Sequence, residues 1–336
     1  MLSLICRNIN EAFSVGMMHF RIRAKNDELI TAMTRGQRRW QYPMPIVTTY
    51  QNSRERVLFD ANRDANPYFH FMESLWILCG RSDVAWLEQW LPTISNYSDD
   101  GTDFHGAYGY RLRLDGQLAS VVDRLKKDPD TTRAVLAIYD RQMDHDYDGK
   151  DMPCNCTVFL GIQNGKLNLT VANRSNDMIW GAYGANVVQF SMLQEYLAGL
   201  IGVGVGWYSQ MSNNAHIYPD VEVTERVLAS GSNFDDPYDT DAENSVTFYP
   251  LGISPDNYSS WNVDLYQFGT HTWDSYNYMN GFFKDVAMPM RYSYLAYKRR
   301  DYGMALSHAG HILASDWRRA CTEWLLRRKA KSEANK

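Results

Sequence analysis

Apolar and polar positions along the chain mark out a few elements clearly. In the run Tyr68-Phe69-His70-Phe71-Met72-Glu73-Ser74-Leu75-Trp76-Ile77-Leu78 apolar residues recur at helical spacing around one acid, which predicts a buried helix that Gly80 ends. Thr157 to Leu160 and Leu167 to Val171 are rich in β-formers, and the Asn164-Gly165 pair between them signals a two-residue hairpin. Val187 to Ile201 is helical again in its periodicity, with Asn186 where that helix starts. Strands and helices mix without a βαβ rhythm, so the pattern predicts an α+β fold rather than a doubly wound sheet. No repeat or low-complexity linker interrupts it, and the polar, aromatic stretch from Ser230 to about Tyr278 does not read as a domain boundary.

The longest nearly uncharged apolar run, Leu197 to Trp207, is glycine-studded and far short of the ~20 residues that span a bilayer. No transmembrane helix is expected. The N-terminal MLSLIC meets Arg7, Asn8 and Asn10 too soon for a secretory signal, so a cytoplasmic address is expected. With 336 residues, 45% hydrophobic and 22% charged, the composition excludes disorder, collagen and coiled coil, and the length suits two domains or one large α+β enzyme. A net charge of −5 gives no global reason to bind nucleic acid. The basic residues Arg318, Arg319, Arg327, Arg328, Lys329 and Lys331 read as the solvated end of a C-terminal helix. Five cysteines, odd in number and sparse, predict free thiols in a reducing compartment and leave room for a chemical one.

Chemistry concentrates in Met152-Pro153-Cys154-Asn155-Cys156 and, past the hairpin, Asn173-Arg174-Ser175-Asn176-Asp177. Two cysteines without a second Cys/His pair at ligand spacing do not make a zinc site, and no metal is expected. On this segment alone Cys154 is either a nucleophile or an inert buried thiol.

The ordered set from about Thr34 to Tyr218 resembles the thymidylate synthase and pyrimidine-nucleotide (dUMP or dCMP) hydroxymethylase family. Its members here are Glu73 in ESLW, Tyr108-Gly109 in AYGYRLR, Asp128-Pro129-Asp130 leading to Arg133, Pro153-Cys154, Arg174-Ser175-Asn176-Asp177, Gly181, Asn186 and His216-Ile217-Tyr218. The resemblance implies one catalytic domain over residues 1–336, built on a large twisted mixed sheet flanked by helices and paired sheet to sheet in a homodimer. A family-atypical loop-rich segment at about 230–280 and a C-terminal helical extension at about 303–336 are added to it.

The same resemblance implies the roles. Cys154 adds to C6 of a pyrimidine nucleoside monophosphate, because C5 is a poor nucleophile until a thiolate does so. Arg174 draws the thiol toward thiolate and holds phosphate, since a forked guanidinium suits both tasks. Arg35, Arg133 and Ser175 complete the phosphate set. In the family one pair of these arginines comes from the other subunit, and here Thr132 stands where the first of that pair would be, leaving Arg133. An insertion at Arg54 to Pro67 makes Arg54 and Arg56 substitutes for Arg35.

Glu73, on an apolar helix, is expected to have a raised pKa and to move protons at O4 and C5. Tyr108 assists removal of the C5 proton. Asn186 reads the base if one residue is inserted between Arg174 and it; its carboxamide favours uracil, and flipped it pairs with cytosine. His216 and Tyr218 hold the sugar hydroxyl, and Asp177 with Gly181 floors the site of a reduced folate, 5,10-methylenetetrahydrofolate.

Three departures separate the chain from synthases that make dTMP. Asn155 follows the nucleophile where histidine is usual, Ser95 or Asn96 stands where an indole is expected, and the chain runs on to SEANK instead of a short apolar tail ending in valine. All three admit water, so the expected reaction is 5-hydroxymethylation of dUMP. A divergent thymidylate synthase and a dCMP or CMP hydroxymethylase are the alternatives, and a nucleotide- or RNA-binding regulator on the same fold is the non-enzymatic one. Such hydroxymethylases suit viruses that place modified pyrimidines in their DNA.

Overall fold

A computed structural model describes residues 1–231, 235–241, 244–270 and 275–334. Its strands are β1 (Leu2–Cys6), β2 (Ile30–Thr34), β3 (Gln37–Gln41), β4 (Ile46–Tyr50), β5 (Val135–Ala137), β6 (Asn155–Gln163), β7 (Lys166–Asn173), β8 (Asn176–Asp177), β9 (Gly204–Ser212) and β10 (Ala215–Ile217). A mixed six-stranded sheet runs β1-β4-β9-β7-β6-β5, and a smaller one runs β2-β3-β10-β8. The fold is α+β, a large mixed sheet flanked by helices.

The predicted hairpin is β6 and β7, joined by Asn164 and Gly165 at φ 50° and 68°. Both residues are left-handed, as a type I′ turn requires. Arg35 and Gly36, at φ 48° and 78°, make the equivalent turn between β2 and β3 and place Arg35 at its tip.

Helix Asn186–Ile201 is buried nearly all round, packed between β7 and β9 on one side and helix Pro67–Cys79 on the other. Helix Pro67–Cys79 starts with Asn66, whose side chain accepts from the Phe69 amide, and stops at Gly80 in the left-handed region, φ 72°. Ahead of helix Asn186–Ile201, residues Met178–Ala185 form a π-type turn. Such a turn absorbs one extra residue without breaking the helix that follows, and it lies where the sequence reading required an insertion.

Two expectations change. The stretch 230–280, read as loops, holds a helix at Tyr258–Gly269; positions 232–234, 242–243 and 271–274 lie outside the described residues. The C-terminal extension forms helices Tyr302–Gly310 and Ser315–Ala334, with 335–336 outside the described residues. Its basic end is not simply solvated. Arg327, Arg328 and Lys331 converge on Asp64 at 2.9, 2.7 and 3.7 Å, so the extension clasps the inserted segment. The two arginines outweigh burial and hold the Asp64 carboxyl below its usual range. Among the described residues no helix is long and apolar enough to cross a membrane.

Helix Tyr108–Arg113 crosses helix Pro67–Cys79 at Gly109, where a Cβ would stand 2.2 Å from the Ile77 carbonyl oxygen. Backbone cannot yield as a side chain would. Gly109→Ala is expected to lower stability by about 2–3 kcal/mol, read as a fall in the urea midpoint at unchanged slope.

Candidate active site

The β6–β7 pairing sets Cys154, just before β6, beside Arg174, just after β7. The Arg174 amide donates to the Cys154 carbonyl at 3.0 Å. The Arg174 guanidinium is then held by two carbonyls, Nε to Pro153 at 3.0 Å and Nη2 to Met152 at 2.9 Å, with Nη2 3.8 Å from Cys154 Sγ. This arrangement leaves the outer face of the guanidinium, which is exposed, free to meet an anion. Arg174 does pull the thiol toward thiolate. Burial pushes the Cys154 thiol up and outweighs the downward pull of Arg174 and Arg35.

Behind the thiol stand three further acids. Glu73 points from helix Pro67–Cys79 and accepts from Gln189 Nε2 at 2.6 Å. Burial pushes its carboxyl up to about 7, with Gln189 opposing. The Tyr108 hydroxyl is raised by burial and by the neighbouring Cys154 and Asp151. Asp151 accepts from the Gly106 amide at 2.8 Å and is pushed by burial up to about 6. The segment carrying Tyr108 is anchored below by a buried Arg111–Asp144 pair, two contacts of 2.9 Å, which His105 Nε2 joins at 2.8 Å.

Asn155, fully buried directly after the thiol, has neither amide atom bonded among the described residues. The Asn155 side chain lies close enough to the Tyr108 hydroxyl to oppose the rise that burial causes there, short of the geometry of a hydrogen bond. An unpartnered buried amide costs about 1–3 kcal/mol and so marks a place for a water or a ligand.

The small sheet supplies the other wall. Arg35 at its hairpin tip donates through Nη2 to the Lys150 carbonyl at 2.7 Å, close to the Cys154 loop. β8 and β10 pair in parallel and set His216 opposite Asp177. His216 Nδ1 lies 3.1 Å from the Asn214 carbonyl, which makes it the donor and leaves Nε2 as an acceptor. Its ring meets Tyr218 edge-on with centroids 5.3 Å apart. Asp177 Oδ1 caps the π-type turn, accepting from the amides of Ile179 at 2.8 Å and Trp180 at 2.9 Å. Gly181 and Asn186 follow on that turn and the helix it enters, and Ser175 lies between Arg174 and β8.

Cys154, Asn155, Glu73, Tyr108, Arg174, Arg35, Ser175, Asp177, Gly181, Asn186, His216 and Tyr218 thus lie on elements that neighbour one another, with Cys154 felt by Tyr108, Arg35 and Tyr218. Arg133 does not join them; it is exposed just ahead of β5, at the far edge of the large sheet. Arg54 and Arg56 are not substitutes for Arg35. Arg56 forms a buried pair with Glu195, and Arg54 lies over the Phe248 ring at 4.1 Å. The insertion instead contributes Arg63, whose Nε donates to the Ile179 carbonyl at 2.9 Å while its guanidinium stacks 4.1 Å from the exposed Trp180 ring.

Sequence reasoning missed Gln189, Asp151 and Arg63. Gln189 alone carried a signal, as a polar residue one helical turn past Asn186 on an otherwise apolar helix.

The thymidylate synthase family profile matches residues 50–236. A deoxyuridylate hydroxymethyltransferase of Pseudomonas phage M6 is 42% identical over 312 residues, 88% of this chain and 87% of that protein. One of Bacillus phage SP01 is 41% identical over 201 residues, 54% of this chain and 52% of that protein. A putative thymidylate synthase of Methanosarcina acetivorans is 32% identical over 155 residues, 44% of this chain and 70% of that protein.

Because the folded chain raises Glu73 from 4.5 to about 7, the native state binds this proton more tightly than the unfolded one. Ionising Glu73 therefore costs stability, beginning near pH 4.5 and in full above pH 7. Glu73→Gln, whose amide oxygen still accepts from Gln189, is expected to gain on the order of 2 kcal/mol at pH 8 and little at pH 4. Urea titrations at the two pH values measure the difference.

Proposed function

The chain belongs to the thymidylate synthase family, and within it we propose that this one-carbon transferase converts dUMP to 5-hydroxymethyl-dUMP with 5,10-methylenetetrahydrofolate as donor. The observation that carries the reading is the Cys154–Arg174 pair with the unpartnered Asn155 amide beside it. The length of the match to the Pseudomonas phage hydroxymethyltransferase supports it.

Arg174, Arg35 and Ser175 receive the nucleotide phosphate, and His216 with Tyr218 the sugar hydroxyl. Cys154 Sγ bonds to C6 of uracil, which turns C5 into a carbon nucleophile. Bound to the protein, the folate supplies a one-carbon unit at the oxidation level of formaldehyde. Asp177 and Trp180 fit that ligand: Asp177 Oδ2 is unused by the capping bonds, and the exposed indole offers an aromatic face. Tyr108 assists removal of the C5 proton, and Glu73, near neutrality in its titration, exchanges protons at O4.

The outcome at the one-carbon unit depends on water. Once C5 has bonded to the one-carbon unit and lost its proton, the bond from that carbon to the folate nitrogen breaks and tetrahydrofolate leaves with the nitrogen pair. Asn155 holds a water whose oxygen bonds to the exocyclic carbon and gives up one proton to the Glu73 carboxylate. The electron pair released there restores the C5–C6 double bond as the Cys154–C6 bond breaks, and the sulfur leaves with its pair. A synthase has to keep that water out until hydride arrives.

We further assign the whole chain to one catalytic domain acting as a homodimer through the open face of the large sheet. In register across that face run Ile5, Thr49, Ser209, Thr170, Phe159 and Val135. Among them Ile5 is 69%, Phe159 47% and Val135 43% exposed, with Trp207 nearby at 37%. An uncovered apolar face of this kind needs a partner. The alternation buried Ala134, exposed Val135, buried Leu136 puts Arg133 on the same open side, and we assign it to the partner's phosphate site.

Mass spectrometry after incubation with methylenetetrahydrofolate and, separately, dUMP, dCMP, UMP and CMP tests the reading. The expected product is 5-hydroxymethyl-dUMP with tetrahydrofolate. A methyl product with dihydrofolate makes the chain a synthase, and a product from dCMP or CMP alone moves it to cytosine.

A further inference from the structure

Asn186 alone cannot say which pyrimidine it reads, because a carboxamide turned over exchanges donor for acceptor. What stands behind it is not ambiguous. Asn186 Nδ2 donates to Asn176 Oδ1 at 3.1 Å. Asn176 Nδ2 in turn donates to Ser212 Oγ at 3.1 Å and Gln210 Oε1 at 3.4 Å. Gln210 Nε2 donates to the Tyr50 hydroxyl and, at 2.7 Å, to the Ala182 carbonyl, which also accepts the Tyr50 proton at 3.2 Å.

A main-chain carbonyl can only accept. It fixes Gln210 with Nε2 toward Ala182, hence Gln210 Oε1 toward Asn176, hence Asn176 Oδ1 toward Asn186. With both Asn176 amide hydrogens spent, turning Asn186 over would set its oxygen against the Asn176 oxygen. Asn176, Gln210 and Ser212 are 2%, 1% and 1% exposed, so no solvent relieves that clash. Gly181 makes the pair possible, since a Cβ there would lie 2.6 Å from Asn176 Oδ1 and 3.2 Å from Asn186 Nδ2.

We propose that Asn176, anchored through Gln210 to the Ala182 carbonyl, is a positioning residue that locks the Asn186 carboxamide in one orientation and so sets base selection. Resting on the dUMP reading above, that orientation is the one matched to uracil, with Oδ1 accepting from N3–H and the remaining Nδ2 hydrogen donating to O4.

The test is calorimetric binding of dUMP and dCMP to the full chain, alongside turnover of each. Wild type is expected to prefer dUMP in both. Asn176→Leu, which leaves Asn186 free to turn, is expected to reduce the dUMP:dCMP affinity ratio at least tenfold. Asn176→Asp, kept protonated by its burial and donating to Gln210 Oε1, keeps the acceptor toward Asn186 and is expected to hold the ratio within about threefold. Gln210→Met frees the relay at its far end and is expected to lower the ratio severalfold; it carries the test should Asn176→Leu not fold.

An unchanged ratio in a folded Asn176→Leu or Gln210→Met, with both affinities falling together, reduces the relay to packing and overturns the proposal. A wild type without base preference overturns it too. A wild-type preference for dCMP that Asn176→Leu abolishes upholds the relay and overturns the dUMP reading instead.

Discussion

The helix Asn186–Ile201 is buried nearly all round and still carries Asn186, Gln189, Gln194 and Glu195, and other elements are arranged to meet them. A buried polar side chain without a partner costs more than its bond is worth when made, so each of these residues dictates where another element lies. Asn186 holds Asn176, and Gln189 holds Glu73. Gln194 bonds the carbonyls of Leu167 and Trp207, tying β7 to β9, and accepts from Ser53. Glu195 takes Arg56 and the Leu251 amide, which ties the 54–67 insertion and the aromatic segment to the core. One helix thereby connects Asn176, Glu73, the sheet register and the added segments.

Around Cys154 ionisation is costly. Cys154, Glu73, Tyr108 and Asp151 are all raised, each first by burial. Against this stand Arg174 and Arg35, both beside the Cys154 loop. In the proposed reaction the thiol gives up its proton before its pair forms the bond to C6, and charge returns to sulfur when that bond breaks, so a thiol kept protonated until substrate arrives is protected from idle chemistry. The neutral Asn155 amide matters for the same reason. It can orient a water without adding a charge to a cleft that already disfavours them.

Local signals were legible from the residues because the physics behind them is local. The Glu73 helix, its glycine stop, the Asn164-Gly165 turn and the start at Asn186 depend on periodicity, capping and left-handed backbone. Spacing suggested an extra residue before Asn186, and a π-type turn stands in that stretch. What stayed hidden comes from pairing between distant segments. Nothing near Asn176 foretells Gln210, because β8 meets β9 and β10 only in the fold. Arg56 and Arg54 looked equivalent to Arg35 as charges, and burial with Glu195 and Phe248 is what separates them. The pull of Arg174 on the thiol is visible in the motif, while the desolvation that opposes it is not.

The account turns on a water bonding to the one-carbon unit beside Asn155. The most direct measurement is mass spectrometry of the nucleotide product formed from dUMP and methylenetetrahydrofolate in water enriched in oxygen-18. The account predicts one heavy oxygen per product molecule, carried on the new carbon at C5 and retained after transfer to ordinary water, since a primary alcohol does not exchange it. A methyl product, or a hydroxymethyl product without the label, would contradict it.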